Sequence, residues 1–206
     1  MFTGIITERG VVKRARLRGA TLDLEIGART TAHELGVGDS VSVNGVCLTA
    51  ISTGRRGFEI QAIAETVARS TLGSLARNSA VNLELPVRAS DRLGGHLVQG
   101  HSDGIASVTR VEDEDGARRV WLRPESALLR YIVEKGSVAL DGVSLTVVET
   151  GIETFQVALI PHTLGETTLD ELRRGSAVNV EVDLIAKYVE RLSRPHMRPE
   201  RTGHGL

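Results

Sequence analysis

The chain has 206 residues, 41% of them hydrophobic and 25% charged, with 25 Lys plus Arg against 26 Asp plus Glu and a formal charge of -1. That balance, with six scattered aromatics (Phe2, Phe58, Trp121, Tyr131, Phe155, Tyr188), argues against a nucleic-acid surface, which normally shows a basic excess or a stacking platform. Cys47 is the single cysteine, so an intrachain disulfide or multi-cysteine metal site is excluded; no apolar stretch approaches the roughly 20 residues that span a bilayer, and the opening lacks a signal-peptide pattern, so a soluble cytoplasmic protein is expected.

Taken in chain order, the predicted elements are short strands broken by turn residues. Val41-Ser-Val and Val46-Cys-Leu-Thr-Ala-Ile flank Asn44-Gly45, a pair suited to the left-handed backbone of a tight hairpin. Phe58-Glu-Ile-Gln-Ala-Ile and Ala80-Val-Asn-Leu-Glu-Leu follow as strands, with a short helical candidate over Glu65–Leu72 or part of it. Pro124–Val133 is a second helical candidate. Val138-Ala-Leu and Val143-Ser-Leu-Thr-Val-Val flank Asp141-Gly142, and Phe155-Gln-Val-Ala-Leu-Ile and Ala177-Val-Asn-Val-Glu-Val are the later strands. Over Asp183–Leu192 the apolar residues Leu184, Ile185, Tyr188, Val189 and Leu192 recur at three to four residues, one stripe on a helix expected at Ile185–Leu192. That stripe suits either a contact between subunits or packing on its own domain. The last residues, 194–206, rich in Pro, Arg, His and Gly, are expected to be disordered.

Sliding the chain by 97 positions lays Ser40–Glu84 on Ser137–Glu181 without a gap, and 20 of the 45 positions are identical. Gly45/Gly142, Leu48/Leu145, Thr49/Thr146, Phe58/Phe155 and Ser79-Ala-Val-Asn/Ser176-Ala-Val-Asn are among them. The entry strands match as Gly4-Ile5 on Gly104-Ile105, an offset of 100 that makes the second copy shorter before its Ser. About six short strands in ~90 residues suggest a small closed barrel, so two barrels in tandem are expected. The division is 1–96 and 97–183, followed by a helix at 184–193.

Familiar catalytic fingerprints are absent: there is no P-loop, no G-x-G-x-x-G, no G-x-S-x-G and no H-E-x-x-H. His96 and His101, five apart, fall on opposite faces if they lie in a strand, so no shared metal is expected. What remains is a polar face preserved by the repeat. Gly45, Cys47 and Thr49 share one side of their strand, and Gly142, Ser144 and Thr146 share the matching side of the other, each backed by Val and Leu. Such a face has room for a flat ligand; the plainer reading of Cys47 is a small half-buried residue. His101 stands in Gly100-His-Ser-Asp-Gly104, where the glycines allow close backbone approach.

Read together, Met1-Phe-Thr-Gly-Ile, Gly38-Asp-Ser-Val-Ser-Val-Asn-Gly-Val-Cys-Leu-Thr, Leu93-Gly-Gly-His-Leu-Val-Gln-Gly-His, Lys135-Gly-Ser-Val-Ala-Leu-Asp-Gly-Val-Ser-Leu-Thr-Val, Leu159-Ile-Pro-His-Thr-Leu and Val178-Asn-Val-Glu-Val-Asp resemble the trimeric, internally duplicated riboflavin synthase family from residue 1 to about 192. The resemblance implies an all-β fold of two six-stranded Greek-key lumazine-binding barrels and a C-terminal helix that trimerises. It also implies the reaction. Two 6,7-dimethyl-8-ribityllumazine molecules dismutate by four-carbon transfer into riboflavin and 5-amino-6-(D-ribitylamino)uracil, with no cofactor or metal.

By the same resemblance, His101, Cys47, Ser144, Ser40, Asp183 and Phe2 stand around the reacting centre. Substrate contacts carry over onto Gly4, Ile5, Ile6, Leu48, Thr49, Gln61, Ala62, Ile63, Ala64, Glu65, Thr66, Gly100, Ser102, Lys135, Leu145, Thr146, Ala158, Leu159, Ile160, Pro161, His162 and Thr163. One substrate would sit on the N-terminal barrel of one subunit and the other on a neighbour's C-terminal barrel; association with lumazine synthase is left open. The rival reading is a duplicated lumazine or flavin carrier without turnover, which would be expected to lack some of these reactive residues. A flavin oxidoreductase would need a nicotinamide-binding half for which the chain has no room.

Overall fold

Alternating apolar and polar residues make each repeat six antiparallel strands, and the inward sets close each into a barrel. In the first repeat β1 (Glu8–Arg18), β2 (Thr21–Gly27), β3 (Ser40–Val43), β4 (Val46–Gly54), β5 (Gly57–Ala62) and β6 (Ala80–Glu84) close in the order β1-β2-β5-β4-β3-β6. In the second, β7 (Gly104–Glu114), β8 (Ala117–Arg123), β9 (Ser137–Leu140), β10 (Val143–Thr150), β11 (Phe155–Leu159) and β12 (Ala177–Val182) close in the same cyclic order. The meander β3-β4-β5 with β2 returning beside β5 is a Greek key. The structure is a computed structural model that describes residues 1–193, so the tail at 194–206 lies outside the described residues.

Each barrel has its own core. Leu24, Ile26, Phe58, Ile60 and Leu83 fill the first, and Leu122, Leu140, Phe155, Leu159 and Val180 the second. Full burial of one such side chain stabilises by about 1.5–3 kcal/mol, so each barrel carries the means of its own stability. Cross-strand pairing of Val41 with Leu48 and Val43 with Val46 keeps the apolar set inside and turns Ser40, Ser42, Cys47 and Thr49 outward.

The repeats meet at their hairpin tips. Gly45 and Gly142 lie back to back, so close that a Cβ on Gly45 would stand 2.5 Å from the Gly142 nitrogen. Around them the amide of Asn82 donates to the Asp141 carbonyl at 3.0 Å and that of Asn179 to the Asn44 carbonyl at 2.8 Å. Asn44 and Asp141 both hold left-handed backbone (φ 47 and 44), the conformation the hairpin turn requires. A carboxylate thus stands in one copy where the other has an amide.

The structure corrects the register expected for the repeat's start. Gly4 is not in a strand and does not match Gly104, which opens β7. It matches Gly100: both hold φ near +79 (78 and 79), and each accepts through its carbonyl a backbone bond at 2.8 Å, from Ser144 and Cys47 respectively. His101 therefore corresponds to Ile5. The helical reading changes as well. Glu65–Leu72 becomes α2 (Ala64–Ala68) and a 3₁₀ turn at Thr71–Ser74, and Pro124–Val133 holds a 3₁₀ turn at Ser126–Tyr131. α1 (Thr30–Glu34) and α3 (Pro161–Glu166), five and six residues long, are too short to leave a period in the sequence.

The C-terminal helix α4 (Leu184–Ser193) lies on the second barrel by its polar side: Lys187 pairs with Asp103 at 2.7 Å and Glu190 with Arg130 at 3.1 Å. Its apolar side faces outward, with Ile185, Tyr188, Val189 and Leu192 between 59% and 71% exposed. No described helix is long and apolar enough to cross a membrane.

Candidate functional site

Two sites arise on the outer faces of β4 and β10, and each is completed by a segment from the other repeat's start. At the first, Cys47 and Thr49 project from β4; the linker arm 96–103 lies across them, with the Gly100 carbonyl accepting the Cys47 amide at 2.8 Å. A Cβ on Gly100 would stand 2.7 Å from the Cys47 Cβ, so only glycine lets the arm approach this closely. His101 follows exposed, and the Ser102 hydroxyl donates to the Gly104 carbonyl at 3.0 Å. Gln61, Ile63, Ala64, Glu65 and Thr66 stand at the end of β5 and the start of α2 beside them.

At the second site Ser144 and Thr146 project from β10, and the N-terminal arm brings Gly4, Ile5 and Ile6. A Cβ on Gly4 would meet Ser144 Cβ at 2.5 Å. Ala158, Ile160, Pro161, His162 and Thr163 match the end-of-strand residues of the first site, and Lys135 holds φ 62 where the first repeat has Gly38 at φ 92. A lysine kept in left-handed backbone is strained, and such strain gathers where a side chain is needed. Leu48, Ala62 and Leu159 turn into the barrel cores, so only their backbone can serve a ligand.

Phe2 is fully buried between the barrels with Val98 and Ala139, against Cys47, and its amide donates to the Val98 carbonyl at 2.7 Å. It supports the floor of the first site. Ser40 pairs with Thr49 across β3 and β4, and Asp183 accepts the Ile185 amide at 2.9 Å, opening α4 beside the second barrel.

His96 is the residue that sequence reasoning missed. It is not in a strand; its Nδ1 lies 2.7 Å from the Ser144 hydroxyl, and it is 8% exposed with no partner for Nε2 among the described residues. Burial pulls its pKa down, against a smaller upward pull from Asp183. A neutral imidazole can accept the Ser144 proton. Its partner Ser144 lies 48 residues further along the chain, so no short motif marks the pair. An open cleft of about 760 Å³, lined by Ile5, Ser40, Pro86 and Arg88 among others, borders the N-terminal arm but includes neither Cys47 nor Ser144. Cys47 and Ser144 are instead half-buried, each beneath the arm that crosses its strand.

Two tandem six-stranded barrels, each with a polar outer strand face crossed by an arm of the other repeat, are the architecture of a protein built from two lumazine-binding domains. The lumazine binding domain model matches residues 3–86 and 99–183, one match to each barrel. The chain is 41% identical over 202 residues to the riboflavin synthase of Actinobacillus pleuropneumoniae, covering 97% of this chain and 94% of that one. It is 45% identical over 200 residues to the riboflavin synthase of Mycobacterium tuberculosis (strain ATCC 25618 / H37Rv), covering 94% and 98%. The chain belongs to the riboflavin synthase family, and is an enzyme. Crystal structures of LumP complexed with riboflavin and with 6,7-dimethyl-8-(1'-D-ribityl) lumazine share the fold. Their TM-scores are 0.83 and 0.80 at 24% and 23% identity, and each covers 88% of this chain and 99% of that one.

Proposed function

We propose that this enzyme dismutates 6,7-dimethyl-8-ribityllumazine at a centre composed between two copies of the chain. The Cys47 face of one holds the first ring and the Ser144 face of another the second. The observation that carries this is the pair of crossed arms, which give the two sites one architecture and different chemistry. His101 on one arm corresponds to Ile5 on the other, Cys47 to Ser144, and Asp183 to Pro86. A reaction between identical molecules needs such a difference, because one must give and the other accept the four-carbon unit.

The lumazine C7 methyl is acidic because its anion delocalises into the ring, so an imidazole suffices to remove the proton, and His101 is exposed at the first site to do so. Ser144, hydrogen-bonded to His96, or Cys47 supplies the nucleophile that stabilises the adduct on the second ring. Holding two rings in register can itself contribute roughly 7–11 kcal/mol. The outward stripe of α4 supports a homotrimer that brings the two faces together.

Incubation with 6,7-dimethyl-8-ribityllumazine while following riboflavin absorbance tests this. His101→Ala is expected to cut turnover about 10²–10⁴-fold while binding weakens far less. An unchanged rate in that variant removes His101 from the mechanism, and tight binding without turnover in the wild-type chain favours the carrier.

A further inference from the structure

The outer faces of β6 and β12 carry two carboxylates that the proposed mechanism does not use. Val81 and Leu83 point into the first core, so Glu84 points outward, yet it is only 3% exposed; Glu181 in β12 is 4% exposed. Neither forms an ion pair among the described residues. Each is covered by an arm instead, and directs its oxygens at that arm's backbone.

Glu84 Oε1 accepts the amide and the hydroxyl of Thr3, both at 2.7 Å, and Oε2 accepts the Gly4 amide at 3.0 Å. Glu181 Oε1 accepts the Gln99 amide at 2.7 Å, while Oε2 accepts those of Gly100 at 2.9 Å and His101 at 3.0 Å. The first of these turns presents Ile5, an apolar side chain. The second presents His101, and the hydrogen bond to its own amide leaves its Cα little freedom. A buried carboxylate is costly unless its hydrogen bonds are complete. Burial pushes both pKa values upward, against the pull of the N–H donors and, at Glu181, a further downward pull from Lys187. In both copies three donors of an arm converge on one buried carboxylate, so each arm is fastened to its barrel by the same kind of bonds.

We propose that Glu181 is the positioning residue for His101: its carboxylate fixes the Gln99–His101 turn so that the imidazole stands over the Cys47 face, while Glu84 performs the same task for an arm that carries no proton-transfer group. This rests on the reading of His101 given above. Glu181→Gln leaves one carbonyl oxygen for three N–H donors and turns an NH₂ against one of them, so the turn shifts. A misplacement of about 1 Å can cost about 10²-fold.

The test is a double-mutant cycle in the full chain, following riboflavin formation. Glu181→Gln should lower kcat about 10- to 100-fold with KM altered less than about threefold, and should cost nothing further once His101→Ala is present. Glu84→Gln, which breaks the same kind of turn, should cost the same factor whether or not His101 is present. If Glu181→Gln costs an equal factor in both backgrounds, or leaves kcat unchanged, the positioning role is wrong. Should Glu181→Gln fail to fold, Glu181→Asp, which keeps the charge but withdraws it by one methylene, takes its place in the cycle and is read by the same two outcomes. A wild-type rate in His101→Ala alone overturns the reading of His101; a slow His101→Ala with an additive cycle overturns only the inference about Glu181.

Discussion

Asp141 offers a perturbation whose size can be worked from the structure. It sits buried at the contact between the barrels, and loss of solvation pushes its pKa from 3.8 to about 7 against the pull of the Asn179 amide. The unfolded chain releases this proton near pH 4 and the folded chain holds it to about 7. Above pH 4 the folded state must either keep a proton that the unfolded chain gives up or bury a charge, and stability falls as pH rises until both states are ionised. One pKa unit is about 1.4 kcal/mol, so the full penalty is about 4 kcal/mol by pH 8, of which some 2–3 kcal/mol accrues between pH 5 and 8. The repeat supplies the control. Asn44 occupies the same turn with φ 47 against 44 and accepts the Asn82 amide at 2.7 Å, as Asp141 accepts that of Asn179 at 2.8 Å. Asp141→Asn should thus keep every bond, tolerate the left-handed backbone and lose the titration. Denaturation midpoints from pH 5 to 8 are expected to fall more steeply for wild type than for Asp141→Asn, the two diverging as pH rises. Asn44→Asp should steepen the fall further. Curves that run parallel across this range would show that Asp141 keeps an ordinary pKa in the folded protein, and that its burial does not govern its titration.

Ile185→Glu with Val189→Glu places charge on the outward stripe of α4, and the doubly substituted chain should sediment as a monomer and lose turnover; wild-type sedimentation and rate would show that the stripe is no subunit contact. Gly100→Ala adds a Cβ 2.7 Å from that of Cys47 at φ 79, so the arm must move. It should cost at least about 1–2 kcal/mol in stability and more than about tenfold in turnover, read by thermal melting and riboflavin formation, and the same change at Gly19 (φ 60), with nothing within 4 Å, should leave turnover intact.

The amino-acid sequence by itself determined the two barrels. Side chains alternate every two residues in a strand, so Val41, Val43, Val46 and Leu48 declare an inward face without any knowledge of their partners, and the 97-residue repeat doubles whatever one copy forms. The polar face of Cys47 and Thr49 against Ser144 and Thr146 was legible for the same reason, and the stripe of α4 was legible from its helical period. What the arms do was decided only in three dimensions. Residues 1–7 and 96–103 form no regular element apart from the Phe2–Val98 bridge, so they leave no period to read, and their bonds run to Glu84 and Glu181, about 80 residues away in the chain. For that reason sequence order pairs Gly4 with Gly104, whereas the fold pairs it with Gly100. His96 leaves no trace in the sequence because its partner Ser144 is 48 residues distant. The buried state of Asp141 likewise belongs to the packing of one hairpin tip on the other, since a carboxylate in an Asp-Gly turn is ordinarily in water, and only the second barrel's contact with the first removes it.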